Sequence, residues 1–178
     1  MEKNRTFLSV IEKRFRTYQE LGDHTFAQLD DAQMHESKHP GDNTIATIIK
    51  HLHGNMLSRF TDFLSTDGEK EWRDRDGEFT EDRQLTKEQL LTLWAAGWAC
   101  VFDTIGQLKD DDLKKKVPIR GEFHLVLDAL LRQLAHYAYH VGQLVYLAKH
   151  MKGPQWQSLS IPLGESQQFN KQMHERYE

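Results

Sequence analysis

Four stretches of this chain repeat apolar residues at spacings of three and four, and none alternates apolar with polar residues over any useful length. That pattern restricts the chain to packed helices, because a half-buried strand needs a period of two. Phe7, Leu8, Ile11, Phe15, Tyr18, Leu21 and Phe26 mark one face of a helix from about Arg5 to Leu29. Ile45, Ile48, Ile49, Leu52, Met56, Phe60 and Phe63 mark a second, from Thr44 to Ser65, with Asn43 or Thr44 as its cap. A third runs from Thr86 to Leu108 and opens on the capping-box pattern T-x-x-Q, Thr86 to Gln89. The fourth runs from Glu122 to Lys149 and stops before Gly153-Pro154. A brief extended piece is expected around VPIRGEFHL, and one more short helix in the 154–178 tail at SQQFNKQMHERY. The expected architecture is all-α: a four-helix bundle forming one domain over residues 1–178, with a long connection from Thr66 to Leu85. Trp72 and Phe79 suggest that this connection packs down on the bundle.

Composition removes several classes of function. A net charge of −4 argues against nucleic acid as a partner, since a backbone binder carries a basic stripe. No stretch approaches the ~20 apolar residues that span a bilayer. The opening MEKNRTFLSV lacks the apolar core of a signal peptide. Cys100 is the only cysteine, so no intrachain disulfide can form and a reducing, cytoplasmic setting is the simplest reading.

Ten histidines in 178 residues is the one compositional oddity. The sharpest local feature is HYAYH, which puts His136 and His140 one turn apart on the same helix face. Two neutral imidazoles so placed suit zinc, nickel, copper or iron, but one helix supplies only the pair. Tyr137 follows His136, so the H-E-x-x-H arrangement of zinc proteases and its general base are absent. The only E-x-x-H, Glu36 to His39, sits beside Pro40, which argues against a di-iron site. Third-ligand candidates are His51, His53, His124, His24 and His150. At roughly 100° per residue, His51 and His53 point to nearly opposite sides of the second helix, so only one can face a site. Apolar phase places His53 nearer the centre of the seam and His51 on its margin. His136 and His140 also fall on a flank of their helix, so phase leaves the choice open.

The strings NTIATIIKHLHGNMLSRFTDFL, DGEKEWRDRDGEF and LRQLAHYAYHVGQLVYLAKH resemble the DinB-like superfamily, which includes YfiT-like metal-dependent hydrolases and thiol S-transferases. The likeness extends to about Lys149, and the nearest branch is one of small bacterial proteins. It implies helices in up-down-down-up order, with the Thr66–Leu85 connection as the crossover between helices two and three. It also implies a histidine before a leucine early in helix two and an H-x-x-x-H pair in helix four. Matched position by position, these are His51, His136 and His140, with His53 a bystander. A homodimer and a divalent ion are implied as well, zinc or nickel first, with iron and manganese also admissible. Three neutral imidazoles would leave that ion an open position, as in catalytic sites.

Other residues fit ligand contacts less sharply. Asn55 and Asp62 follow His51 on roughly one helix face, although Arg59 and Asp62 also read as a surface pair. Arg132 is placed to meet an anionic group, and Gln143 to bond a ligand or a histidine ring. Trp72, Arg73 and Arg75 read either as a cover over substrate or as a solvated, self-paired loop. Trp94 and Trp98 read as core, and Cys100 as a buried apolar residue. The function expected by family likeness is metal-dependent thiol transfer or hydrolysis on a small-molecule substrate, with a low-molecular-weight thiol as co-substrate. The competing expectation is a stress-related metal or small-ligand carrier without turnover.

Overall fold

The computed structural model describes residues 6–80 and 85–177. Arg5, where the first helix is expected to start, and residues 81–84 of the long connection lie outside the described residues. The chain is mostly helical. Helices α1 (Thr6–Phe26), α3 (Ile45–Phe60), α4 (Lys87–Gln107) and α5 (Val126–Lys152) carry the core, and α2 (Asp31–Met34) and α6 (Ser166–Tyr177) are short additions. A two-stranded antiparallel hairpin, β1 (Lys116–Ile119) and β2 (Glu122–Leu125), realises the expected extended piece. Among the described residues, no helix is long and apolar enough to cross a membrane.

Local chemistry sets the helix ends. Thr44 caps α3, its hydroxyl accepting from Thr47 N–H at 3.0 Å. Thr86 and Gln89 form the capping box of α4. The second helix ends at Phe60 rather than Ser65, because Asp62 turns left-handed at φ +51° and its carbonyl gathers the N–H groups of Ser65 and Thr66. The fourth begins at Val126 rather than Glu122, because residues 122–125 pair as β2, and it runs past Lys149 to Lys152, where Gly153 caps it. The first stops at Phe26, and α2 then forms on a separate capping box between Asp30 and Gln33. The α6 helix is where the tail pattern placed it.

The core lies where α1, α3, α4 and α5 meet. Phe15 of α1 packs at ring distances of 6.4 Å on Phe60, 6.0 Å on Trp98 and 5.7 Å on Tyr137, so all four helices share one aromatic cluster. Gly22 lets α1 approach α4, since a Cβ there would strike the Trp94 ring. Trp94 Nε1–H donates to Asp23 at 2.8 Å, which satisfies the one polar atom of a nearly buried side chain.

The hairpin ties the long connection to the bundle. Arg120 and Gly121 both have positive φ, 55° and 77°, as a two-residue turn requires. The Asp67 carboxylate accepts from both of their N–H groups at 2.8 Å, and Gly68 N–H donates to Pro118 O at 2.9 Å. Of the two expected anchors, Phe79 packs down and Trp72 does not: Trp72 is 58% exposed.

Candidate metal centre

His51, His136 and His140 converge, with one ring nitrogen from each lying within 4.8 Å of the others. Helix α3 delivers His51 and α5 delivers the pair at its i and i+4 positions. The Nε2 atoms of His51 and His136 are 3.3 Å apart, and the His140 ring centroid lies 4.8 Å from each of the other two. His51 and His140 are buried. His53 points the other way, its Nδ1–H donating to the Leu93 carbonyl of α4 at 2.9 Å.

Partners set the tautomers. His51 Nδ1 lies 2.9 Å from Glu78 Oε2, and a carboxylate only accepts, so Nδ1 carries a proton and Nε2 is turned toward His136. Glu78 is held in turn by both ends of Arg73, at 2.7 and 2.9 Å. Burial would raise the Glu78 carboxyl, but the bonds from His51 and Arg73 and the Arg73 charge outweigh it and hold the group below the usual range. His140 Nδ1–H donates to Gln143 Oε1 at 2.8 Å, which leaves its Nε2 bare, buried and without a partner. Burial, reinforced by the neighbouring rings, pushes His136 down to about 3, and burial beside His51 pushes His140 down to about 4. Both rings are therefore neutral at pH 7, the form in which imidazole binds metals.

The connection closes over the cluster. Phe79 lies on the His51 ring at 4.8 Å, 38° from parallel. A Cβ at Gly54, mid-helix in α3, would collide with the Glu78 carboxylate, so a residue that costs a helix roughly 1 kcal/mol makes room for the carboxylate that orients His51. Beside the cluster is an open cleft of about 410 Å³.

The other site expectations divide. Asn55 is buried on the cleft wall and accepts from Tyr137 O–H at 3.2 Å. Arg132 lines the cleft. Gln143 stands behind His140 as a ring partner and is not on the cleft lining. Asp62 leaves the face of His51 in its left-handed turn, and Arg59 is buried against Gly68 O and Glu69 rather than paired with Asp62. Trp94 and Trp98 are core. The Cys100 thiol meets only Thr61 at 3.9 Å, and burial pushes it up, away from nucleophile chemistry. Glu78 carried no motif in the sequence, and its one hint was its place beside Phe79.

A helical fold with three convergent histidines beside a cleft defines a candidate metalloprotein. The chain belongs to the family described as "Protein of unknown function (DUF1572)", whose model matches residues 2–165. No curated protein matches it.

Proposed function

We propose that this chain is a metal-dependent enzyme acting on a small molecule, with His51, His136 and His140 holding one divalent ion. Thiol transfer or hydrolysis is the reaction class, as in the DinB-like and YfiT-like proteins the sequence resembles. The observation that carries the reading is His140 Nε2, a buried lone pair within reach of two other imidazoles and bonded to nothing. A buried acceptor left unpaired costs roughly 1–3 kcal/mol, a cost a ligated ion removes. The donor set of three imidazole nitrogens suits zinc or nickel, and also accepts iron or manganese.

When bound, such an ion lowers the pKa of a coordinated water or low-molecular-weight thiol and so supplies a nucleophile near neutral pH. The chain's own residues do the rest. Glu78 and Gln143 fix two ring tautomers and orientations. Phe79 shields the His51 ring from solvent. Asn55 Oδ1 accepts from Tyr137 O–H, which leaves its NH₂ group to orient a ligand on the cleft wall.

The rest of the reading follows the same likeness: one domain, an up-down-down-up bundle, a homodimer and a bacterial cytoplasmic setting. The parallel register of α3 on α4, with His53 against Leu93 and Phe60 against Thr104, supports the bundle order. Sedimentation at micromolar concentration tests the dimer, and a monomer there would end that part of it.

The decisive experiment is metal analysis of protein purified without a nickel column. About one ion per chain is expected, absent from His51→Ala and His140→Ala and retained in His53→Ala. Thiol-transfer and hydrolysis panels with and without chelator then separate an enzyme from a carrier. Stoichiometric metal without chelator-sensitive turnover would assign the carrier role.

A further inference from the structure

The cleft beside the histidines is walled by arginine. Five line it: Arg59 from α3, Arg73 and Arg75 from the connection, Arg120 from the hairpin turn and Arg132 from α5. No aspartate or glutamate is among the described lining residues. This occurs in a chain of net charge −4, so it does not reflect a basic composition.

Three of the five are already paired. Glu69 accepts from Arg59 at 3.2 Å and from Arg120 at 2.8 Å, and Glu78 takes Arg73. Arg75 and Arg132 have no carboxylate partner among the described residues. The Arg75 guanidinium lies 5.4 Å from the Phe79 ring centroid, and Arg132 makes one long contact, 3.4 Å, with His124 Nε2. The wall is also built rather than incidental. Asp67 holds Arg120 in its left-handed turn, Arg59 is only 6% exposed, and Phe79 seats Arg75 beside the ring that covers His51. Arg75 and Arg132 are exposed at this cleft, so their uncompensated charges face an incoming anion directly.

We propose that the substrate or co-substrate is a small organic oxyanion, a carboxylate or a phosphate monoester, whose charged group is taken by Arg75 and Arg132. The planar guanidinium fork matches two oxygens of either group. A cleft of about 410 Å³ admits a small molecule. The remainder of that molecule lies toward the histidine cluster. Only this last placement rests on the metal reading above; the anion subsite stands on the arginines.

The test uses phenyl phosphate and benzoate as probes, with benzamide as the neutral analogue, titrated calorimetrically into the full chain. Chelator-dialysed and zinc-loaded protein are compared. At least one anion should bind both forms, and benzamide should not. Whichever anion binds more tightly identifies the oxyanion. Arg75→Gln with Arg132→Gln should weaken binding at least tenfold, with metal content and circular dichroism unchanged, and Arg132→Lys should recover only part of the loss. Three results would each overturn the proposal: no anion binding to either form, equal binding of benzamide, or binding confined to the zinc form and untouched by the arginine substitutions. Arginine-dependent binding by a protein that takes up no metal would keep this inference and sink the metal reading.

Discussion

Helix α3 meets α4 and α5 with two different surfaces. Toward α4 it is tightly filled: a Cβ at Gly97 would lie 2.8 Å from Met56 Sδ, and His53 and Phe60 bond across the seam to Leu93 and Thr104. Toward α5 it presents His51, Asn55 and Arg59 to His136, His140 and Gln133 around an open cleft. Two histidines two residues apart thus have opposite roles. One completes a packed joint, and the other turns its Nε2 toward His136. The first seam supplies the rigidity that lets the second hold polar groups in a fixed array.

The largest effect should come from the packed side. Trp98 is fully buried and touches Phe15 and Tyr137, so Trp98→Ala should cost about 3–5 kcal/mol in urea denaturation. If the seams are separable, the folded fraction of this variant still takes up metal. Loss of metal from well-folded Trp98→Ala would show that the aromatic cluster sets the histidine geometry directly.

On the open side, Glu78→Gln should weaken metal affinity by about 10–100-fold, as loss of a carboxylate behind a ligating histidine typically does. The substitution removes the charge that fixes the His51 tautomer and leaves buried Arg73 unpaired. Competitive titration against a chromophoric chelator measures it. Unchanged affinity would detach the long connection from the site.

Much of the packed side was legible in sequence, and the open side only in part. Spacings of three and four located all four long helices because apolar burial is periodic, and T-x-x-Q marked the start of α4. The ends at Phe60 and Val126 were not legible, because they depend on a left-handed Asp62 and on a strand pairing that only tertiary contact reveals. HYAYH announced the histidine pair, whereas His51 came from family likeness, since apolar phase put His53 nearer the seam and left the choice open. Phase failed there because His53 is polar yet packed, bonded to a carbonyl the sequence does not display. Glu78, Arg73 and Arg75 lay in a run of mixed charge whose pairings are set by how the loop folds back, and no local spacing encodes that.

Acid should separate the seams further. In the metal-free fold His136 and His140 titrate near about 3 and about 4, against about 6.5 in an unfolded chain. The unfolded state therefore takes up protons first, so the stability these rings contribute is complete above pH 6.5 and declines as pH falls toward their native values. Between pH 7 and pH 5 the loss should be roughly 2 kcal/mol for each ring. Denaturation midpoints of chelator-treated protein measure it, and His136→Gln with His140→Gln should flatten most of the slope. A midpoint indifferent to pH in the wild-type chain would mean that both rings are solvated.

The smallest effect is expected at the residue that apolar phase placed closest to the seam. His53 donates to the Leu93 carbonyl, and burial pushes its own pKa down, so it is a neutral side chain filling a joint. His53→Ala removes one hydrogen bond and some packing. Leu93 O lies within α4 and keeps its place in the helix, so the cost should be about 1 kcal/mol. Metal content should not change, which is what distinguishes this histidine from the one two residues before it. Denaturation and metal analysis on the same sample read both quantities. If His53→Ala lost the ion while His51→Ala kept it, the two surfaces of α3 would have to exchange roles, and the cleft beside α5 would no longer be the site.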